Sequence, residues 1–273
     1  PILSEEHLLM YFKTCPLCNQ TKFKRIYLKK WEKLSFHHCL KCKLIFQNPQ
    51  ESLNETKARY NNDYFEYEVN NQHNFFNLIE KTLNDFNIFD IIPQKAQILE
   101  VGSATGLFLK FMQERGYDAL GVEICKESVI YGRENFGVNL LNLSLEEANF
   151  KEESFDFIHF SHLIEHLNDP FLFLKTIYKI LKKGGYTMVT TPNKSGLFAN
   201  LYNNNWRCIV SDHLFLFNKD NLKKILIKTD FEIIKVKTWG GIPAGFKPKF
   251  IKSFFDKFVK TFGLGDVVCY LVK

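Results

Sequence analysis

The chain has 273 residues and is 45% hydrophobic, enough for one large domain or a domain plus a small module with a sizeable core. It contains no apolar run of the roughly 18 residues a membrane span needs, and its opening PILSEEHLLMYFK lacks the charged-then-apolar plan of a signal peptide, so no membrane-spanning helix or secretory leader is expected. The net charge of +6 lies in residues 1–60, which carry eleven Lys or Arg against five Glu and no Asp; the other 25 basic and 25 acidic side chains balance. That charge suits an anionic partner (a phosphate, a nucleotide-linked small molecule or nucleic acid) as well as it suits a solvated lysine-rich face.

Four of the seven cysteines form two C-x-x-C pairs, Cys15 with Cys18 and Cys39 with Cys42, twenty residues apart. Two such knuckles at this separation predict a tetrahedral Cys₄ zinc site, each knuckle giving two thiolates from one turn. The segment between them returns as a hairpin, with strands at Lys22–Tyr27 and Leu34–His38. A closed Cys₄ shell leaves no open position for chemistry, so the ribbon is expected to be structural or a substrate clamp. Locally paired cysteines fit a reducing cytoplasm better than a secreted disulfide scaffold. Residues 1–60 are read as this module and its linker, and 61–273 as the main domain.

Phe75, Phe76, Ile79, Leu83 and Phe86 recur at helical spacing, predicting one helix over Asn71–Ile92. Ile98–Val101 is a short apolar run that reads as a buried parallel strand. It carries Glu100 and runs into the small-residue turn Gly102, Ser103, Ala104, Thr105, Gly106, from which a helix starts at Leu107. A strand feeding a helix through such a turn is where open α/β sheets bind nucleotides, because small residues admit a ligand to the backbone and the helix end offers free N–H groups. Strand Ala119–Val122 follows and ends in Glu123, where such folds grip ribose hydroxyls. Helix Lys126–Phe136, strand Val138–Leu141 and a strand from Phe155 come next. Then come helix Phe171–Leu181, strand Tyr186–Thr191 after a Gly-Gly turn, a polar loop or short helix over 196–205, helix Asn218–Thr229 and strand Phe231–Trp239. Phe250, Phe254, Phe255, Phe258 and Phe262 line one side of a Lys-rich helix, read as packing over the sheet or against a twin subunit in a homodimer, with a membrane-surface contact as the alternative. Val267–Val272 is the last strand. The expected fold is α/β: a Rossmann-like, seven-stranded, mostly parallel sheet with helices on both faces, preceded by a small Cys₄ zinc ribbon.

ILEVGSATG resembles the first motif, (D/E)-x-G-x-G-x-G, of the class I S-adenosylmethionine (SAM)-dependent methyltransferases, with Ala104 at the middle glycine. Alanine there is expected to hold an ordinary backbone conformation. SHLIEHLNDP at 161–170 and LKKGGYTMVTTPN at 181–193 match the same family in order. The Cys₄ knuckles followed by LIFQNP and Y-x-x-x-Y-F resemble a bacterial group with a zinc ribbon ahead of the SAM domain, associated with sugar, surface-polysaccharide and natural-product pathways. The resemblance implies SAM as cofactor, held by Glu100, Gly102, Ser103, Ala104, Thr105, Gly106, Glu123, Ile124 and Ser161. Ser144 and Leu145 stand where the family often places an Asp on the adenine.

SAM supplies an activated methyl, so the protein has to align a nucleophile, and an alcohol also needs its proton removed. His166 and His213, beside Glu165, are the candidate bases. The same stretch resembles the E-x-x-E-H segment of ubiquinone-pathway O-methyltransferases and small-RNA 2′-O-methyltransferases, where these side chains hold a divalent ion. Here His162, Glu165 and His166 would do so, with His213 reaching across. A structural cap at the pocket wall is the third reading. The expected activity is O-methylation of a small polar acceptor. The alternatives are RNA methylation, less well supported, and a non-catalytic assembly role kept open by Ala104 and Ser144.

Overall fold

A computed structural model describes residues 10–26, 35–51, 59, 62–240 and 249–273, the side chains of 249–253 and 256 excepted. The hairpin ends expected at Tyr27 and Leu34 and the side chain of Phe250 lie outside these residues. Three short strands, β1 (Phe23–Ile26), β2 (Phe36–Cys39) and β3 (Ile45–Gln47), form an antiparallel amino-terminal sheet. Helices α1 (Asn62–Phe86) and α2 (Ile88–Ile91) lead into the main domain. There β4 (Gln97–Val101), α3 (Leu107–Gln113), β5 (Asp118–Val122), α4 (Lys126–Phe136), β6 (Asn139–Leu141) and α5 (Leu145–Ala148) follow in turn. Next come β7 (Phe155–Ser161), α6 (Pro170–Ile180), β8 (Leu181–Pro192), α7 (Leu197–Tyr202) and the two-residue β9 (Phe215–Leu216). The chain closes with α8 (Lys219–Lys228), β10 (Ile233–Trp239), α9 (Lys249–Thr261) and β11 (Val267–Val272).

The main sheet has seven strands in the order β10-β11-β8-β7-β4-β5-β6. The pairs among β4 to β8 are parallel, and β11 runs antiparallel to both neighbours. Its central strands are apolar on both faces, as a sheet covered on two sides requires. Leu83, Phe86, Phe108, Phe111, Met188 and Leu271 fill the layer beneath α1 and α3. Leu174, Ile177, Leu222, Ile225 and Tyr270 fill the layer beneath α6 and α8.

The first long helix begins nine residues before the expected start, at Asn62. Its amino-terminal half is mostly polar, and Phe65, set on Tyr131 with centroids 5.6 Å apart, is too little apolar signal to show a period. It also ends before the expected Ile92, because Asn87 turns left-handed (φ 57°), a conformation Asn tolerates. The Gly184-Gly185 pair, expected as a turn, lies inside β8, where the register with β7 shifts between Phe155 and Phe157. On α9, Phe254 and Phe262 are 68% and 63% exposed while Val259 is buried, so these two phenylalanines do not pack over the sheet, and their exposure is what the twin-subunit alternative requires.

β9 was not foreseen, because its partner is far away in sequence. It pairs antiparallel with β3 and adds a fourth strand to the ribbon sheet, Ile45 opposite Leu216 and Phe46 opposite Phe215. The two units therefore share a sheet across residue 60. Cys15, Leu17, Leu44 and Phe46 belong to the same buried cluster as Leu174, Phe215 and Leu222. Lys228 caps the contact by donating from Nζ to the Leu17 carbonyl at 2.7 Å.

Gln47 is 1% exposed, and its side-chain amide donates to the carbonyls of Ser211 (2.7 Å) and His213 (3.0 Å). Asn168, in the segment between β7 and α6, donates to the Glu51 carbonyl at 2.9 Å. Removing the Gln47 amide strands the His213 carbonyl and leaves that of Ser211 only a long bond from Arg59 at 3.5 Å, so Gln47→Ala is expected to cost about 1–3 kcal/mol. Thermal unfolding should then fall by roughly 2–10 °C for a chain of this size. An unchanged midpoint would mean that the ribbon does not brace this loop.

Candidate functional site

The turn after β4 is left-handed at three of its five positions: Gly102 (φ 71°), Ala104 (φ 46°) and Gly106 (φ 81°). The expectation for Ala104 is thereby corrected. The alanine keeps the conformation of the glycine it replaces, at a cost of about 1–2 kcal/mol for an L-residue. Glu123 offsets that cost: its Oε2 accepts from the Ala104 N–H at 2.9 Å and its Oε1 from the Cys125 N–H at 2.8 Å. Ser103 points inward and donates to the Glu100 carbonyl at 2.9 Å. Thr105 is also buried, and a Cβ on Gly132 would stand 2.5 Å from the Thr105 carbonyl oxygen, so only glycine lets α4 approach the turn this closely.

Glu100 lies at the floor of this crevice, and its Oε1 is 3.1 Å from His159 Nδ1. Its Oε2 is buried without a hydrogen-bond partner. Burial, and then the Glu123 charge, push its carboxyl well above the usual range. Burial also holds His159 neutral, its pKa down to about 3. Ile124 is half-buried, and its carbonyl and that of Glu123 accept from the Asn142 amide at 3.1 and 3.0 Å. The Ser144 hydroxyl accepts from the Glu147 N–H in a capping box at the start of α5, and Leu145 is buried behind it. Ser161 ends β7 in a half-buried position. These residues end or follow strands β4 to β7, so they lie along the carboxyl edge of the parallel strands, where an open α/β sheet binds its ligands.

A second cluster adjoins it. Leu163 packs on the turn, its Cδ1 3.3 Å from where a Cβ on Gly102 would stand. Glu165 follows on the 3₁₀ turn Ile164–His166 and is 1% exposed; its Oε2 accepts from the Thr191 hydroxyl at 2.8 Å. Its Oε1 has no hydrogen-bond partner, though His162 Nδ1 stands 3.4 Å away. The rings of His166 and His213 meet edge to face with centroids 4.7 Å apart. His166 Nδ1 is 2.9 Å from the Asp212 carbonyl, and His213 Nδ1 is 2.7 Å from the Cys208 carbonyl. A carbonyl only accepts, so each Nδ1 carries the proton and each Nε2 keeps a free lone pair. Glu165, His166 and His213 each place a ligand atom within 4.8 Å of the others. Of the four side chains expected here, His213 does reach across and joins Glu165 and His166, whereas His162, left-handed at φ 53° and with its Nδ1 beside Glu165, lies outside that trio.

Burial opposes the Glu165 charge, but His162, His166 and His213 outweigh it and bring its pKa down to about 2. Burial, then the His166 charge, lowers His213 to about 4. One fixed carboxylate and two imidazole lone pairs are a donor set that suits a divalent cation. In the ribbon, Cys15, Cys18, Cys39 and Cys42 also bring their sulfurs within 4.8 Å of one another. The Cys15–Cys42 and Cys18–Cys39 separations are both 3.5 Å, close to the roughly 3.8 Å that a tetrahedral zinc with Zn–S of about 2.3 Å imposes. None of the seven cysteines is in a disulfide.

Sequence reasoning missed Glu68, Gln72, Asn142 and Asp212. Glu68 and Gln72 sit on the part of α1 whose period was hidden, and Asp212 acts through its backbone, which no sequence pattern reveals.

A family model described as a methyltransferase domain matches residues 67–236, more than half of the chain. The chain belongs to this methyltransferase family. Among its sequence relatives, the ubiquinone biosynthesis O-methyltransferase of Pelagibacter ubique is 27% identical over 122 residues, covering 42% of this chain and 51% of that protein. The mitochondrial ubiquinone biosynthesis O-methyltransferase of Rattus norvegicus is 29% identical over 110 residues, 37% of this chain and 32% of that protein. The chain thus spans about half and about a third of these relatives' length. A SAM-dependent methyltransferase from Archaeoglobus fulgidus superposes with a TM-score of 0.57 at 19% identity, over 77% of this chain and 99% of that one. One from Thermotoga maritima gives 0.54 at 24% identity, over 76% and 97%. The methyltransferase crevice fits SAM on its own chemistry, since an orphaned buried carboxylate oxygen and converging acidic side chains suit a ligand that bears sulfonium and ammonium charges.

In this SAM-dependent methyltransferase, Ala104→Gly should relieve the left-handed strain, less the roughly 0.4–1 kcal/mol that glycine's unfolded-state freedom returns. The expected result is a midpoint raised by about 1–4 °C with SAM affinity retained. A lowered midpoint would show that the turn carries no strain.

Proposed function

We propose that the chain transfers a methyl group from SAM to a hydroxyl oxygen of a small polar acceptor. The observation that carries this reading is the juxtaposition of Glu165, His166 and His213 with the SAM crevice through Leu163 and Gly102. A hydroxyl seated there would meet two Nε2 lone pairs able to take its proton as the oxygen attacks the methyl carbon. Because burial keeps His213 mostly neutral and weakly basic, His166 is the better base and His213 the orienting acceptor. Glu165 steadies the positive charge that forms on the ring. Should a divalent cation bind, the same three side chains would hold it, and it would lower the acceptor hydroxyl's pKa. The O-methyltransferase names of the relatives support oxygen as the acceptor. The ribbon-headed group that the amino terminus resembles supports a sugar, surface-polysaccharide or natural-product setting, and a cytoplasmic enzyme.

For the ribbon we propose one structural zinc on Cys15, Cys18, Cys39 and Cys42. Metal analysis should return one zinc per chain, and Cys39→Ser should reduce it while also lowering methyl transfer, because β3 braces the His213 loop. Zinc at the same stoichiometry in the variant would reject the Cys₄ assignment.

The activity is tested with radiolabelled SAM across sugar phosphates, nucleotide sugars, phenolic alcohols and RNA. A small hydroxylated acceptor should be labelled. His166→Ala should lower kcat at least a hundredfold, and His213→Ala should lower it less. Full activity in both variants would reject the assigned roles, and labelling of RNA alone would reject the small acceptor.

A further inference from the structure

The inward face of α1 changes character along its length. Toward its carboxyl end it is apolar: Phe76 sits on Phe111 with centroids 5.4 Å apart, and Leu83 and Phe86 are buried. At its amino end Phe65 rests on Tyr131 of α4. Between these anchors, on the same face by helical spacing, come Glu68 and Gln72, one turn apart. This is where the helix passes the carboxyl ends of the strands, because its anchors are α3 and α4, the helices that leave the two crevice turns.

The polar groups there have no structural use. Gln72 Nε2 is buried without a partner, as is Glu100 Oε2 across the crevice. Burial, then the Glu123 charge, raises the Glu68 carboxyl to about 7, with His162 the one group opposing. Glu68 in turn adds to what holds Glu100 up. Three carboxyls therefore come near enough to influence one another, and among the described residues no lysine or arginine opposes them. A protein that wanted only a packed helix would carry apolar side chains at these two positions. The arrangement is costly without a ligand and favourable with a cationic one.

Methyl transfer changes that ligand's charge. The acceptor oxygen forms its bond to the methyl carbon, the carbon–sulfur bond breaks with its electron pair going to sulfur, and the acceptor proton leaves to the base. The cationic sulfonium becomes a neutral thioether.

Building on the SAM-dependent reading, we propose that Glu68 on α1, with Gln72 beside it, is a cofactor-binding residue that makes the crevice prefer the sulfonium of SAM over the neutral S-adenosylhomocysteine. The charge lost in the reaction then drives release of the spent cofactor, and α1 is the cover through which it leaves.

The test is calorimetric binding of SAM, sinefungin (an amine in place of the sulfonium methyl) and S-adenosylhomocysteine to the full chain, wild type and Glu68→Gln. Wild type should bind the two cationic ligands more tightly than the neutral one. Glu68→Gln keeps the shape and removes the charge. It should weaken SAM and sinefungin by about tenfold, as expected for one charge pair at short range, and leave S-adenosylhomocysteine unchanged or tighter. The melting midpoint of the ligand-free variant should stay level or rise, since a buried, poorly balanced carboxyl has gone. Equal weakening of all three ligands, or a lowered midpoint, would make Glu68 a structural residue and overturn the proposal, as would no change at all. If wild type binds none of the three, the SAM reading itself fails.

Discussion

The two hydrogen bonds accepted by Glu123 hold the functional half of the molecule in place. One reaches back to the Ala104 N–H in the turn after β4, and the other goes forward to the Cys125 N–H at the start of α4. The turn needs that help, since it is left-handed at Gly102, Ala104 and Gly106. It lies beneath helices that only glycine allows to come so near, Gly132 facing the Thr105 carbonyl. A carboxylate this buried would ordinarily be neutralised, and burial does raise its pKa. The backbone N–H groups oppose that rise. Glu123 therefore shapes the crevice wall and still has lone pairs left for ligand hydroxyls.

The other half of the site depends on the ribbon. His166 and His213 are aimed by backbone carbonyls of Asp212 and Cys208, so their geometry is only as firm as that loop. The loop is short of regular structure, and its support comes from β3 pairing with β9, from Gln47 and from Arg59, which bonds Asp212 at 2.9 Å. All of these supports come from the segment just after the cysteine knuckles. A metal held by the four cysteines, remote from the chemistry, would thus control it by rigidity.

Much of this was legible in the sequence. The parallel strands are continuous apolar runs, the turn is spelled in small residues, and the knuckles announce themselves by spacing. What was hidden shares one physical origin: interactions whose partners lie far apart in the chain or involve no side-chain identity. β9 is two residues long and exists because β3 is there to pair with it. The early part of α1 has one aromatic anchor where a period needs several. Ala104 adopts a glycine's conformation because Glu123, nineteen residues on, accepts its N–H. Of the expected set only His162 falls outside the trio of Glu165, His166 and His213, where the chain is left-handed at φ 53°, a departure that helical spacing could not anticipate.

The acidic side chains divide into two populations by the same electrostatic rule. Glu68, Glu100 and Glu123 face one another, and burial raises the pKa of each. Glu165 is as buried as Glu100, yet falls to about 2 because three histidines surround it and Thr191 donates to it. Environments that drive like groups apart mark different tasks. Glu165 is held ionised, as a residue that steadies charge on neighbouring imidazoles must be. Burial disfavours charge on the crevice acids, so a cationic ligand is what would favour it. The molecule thus sets a permanent anion beside the base and a conditional one beside the donor, and the methyl group would cross the boundary between them.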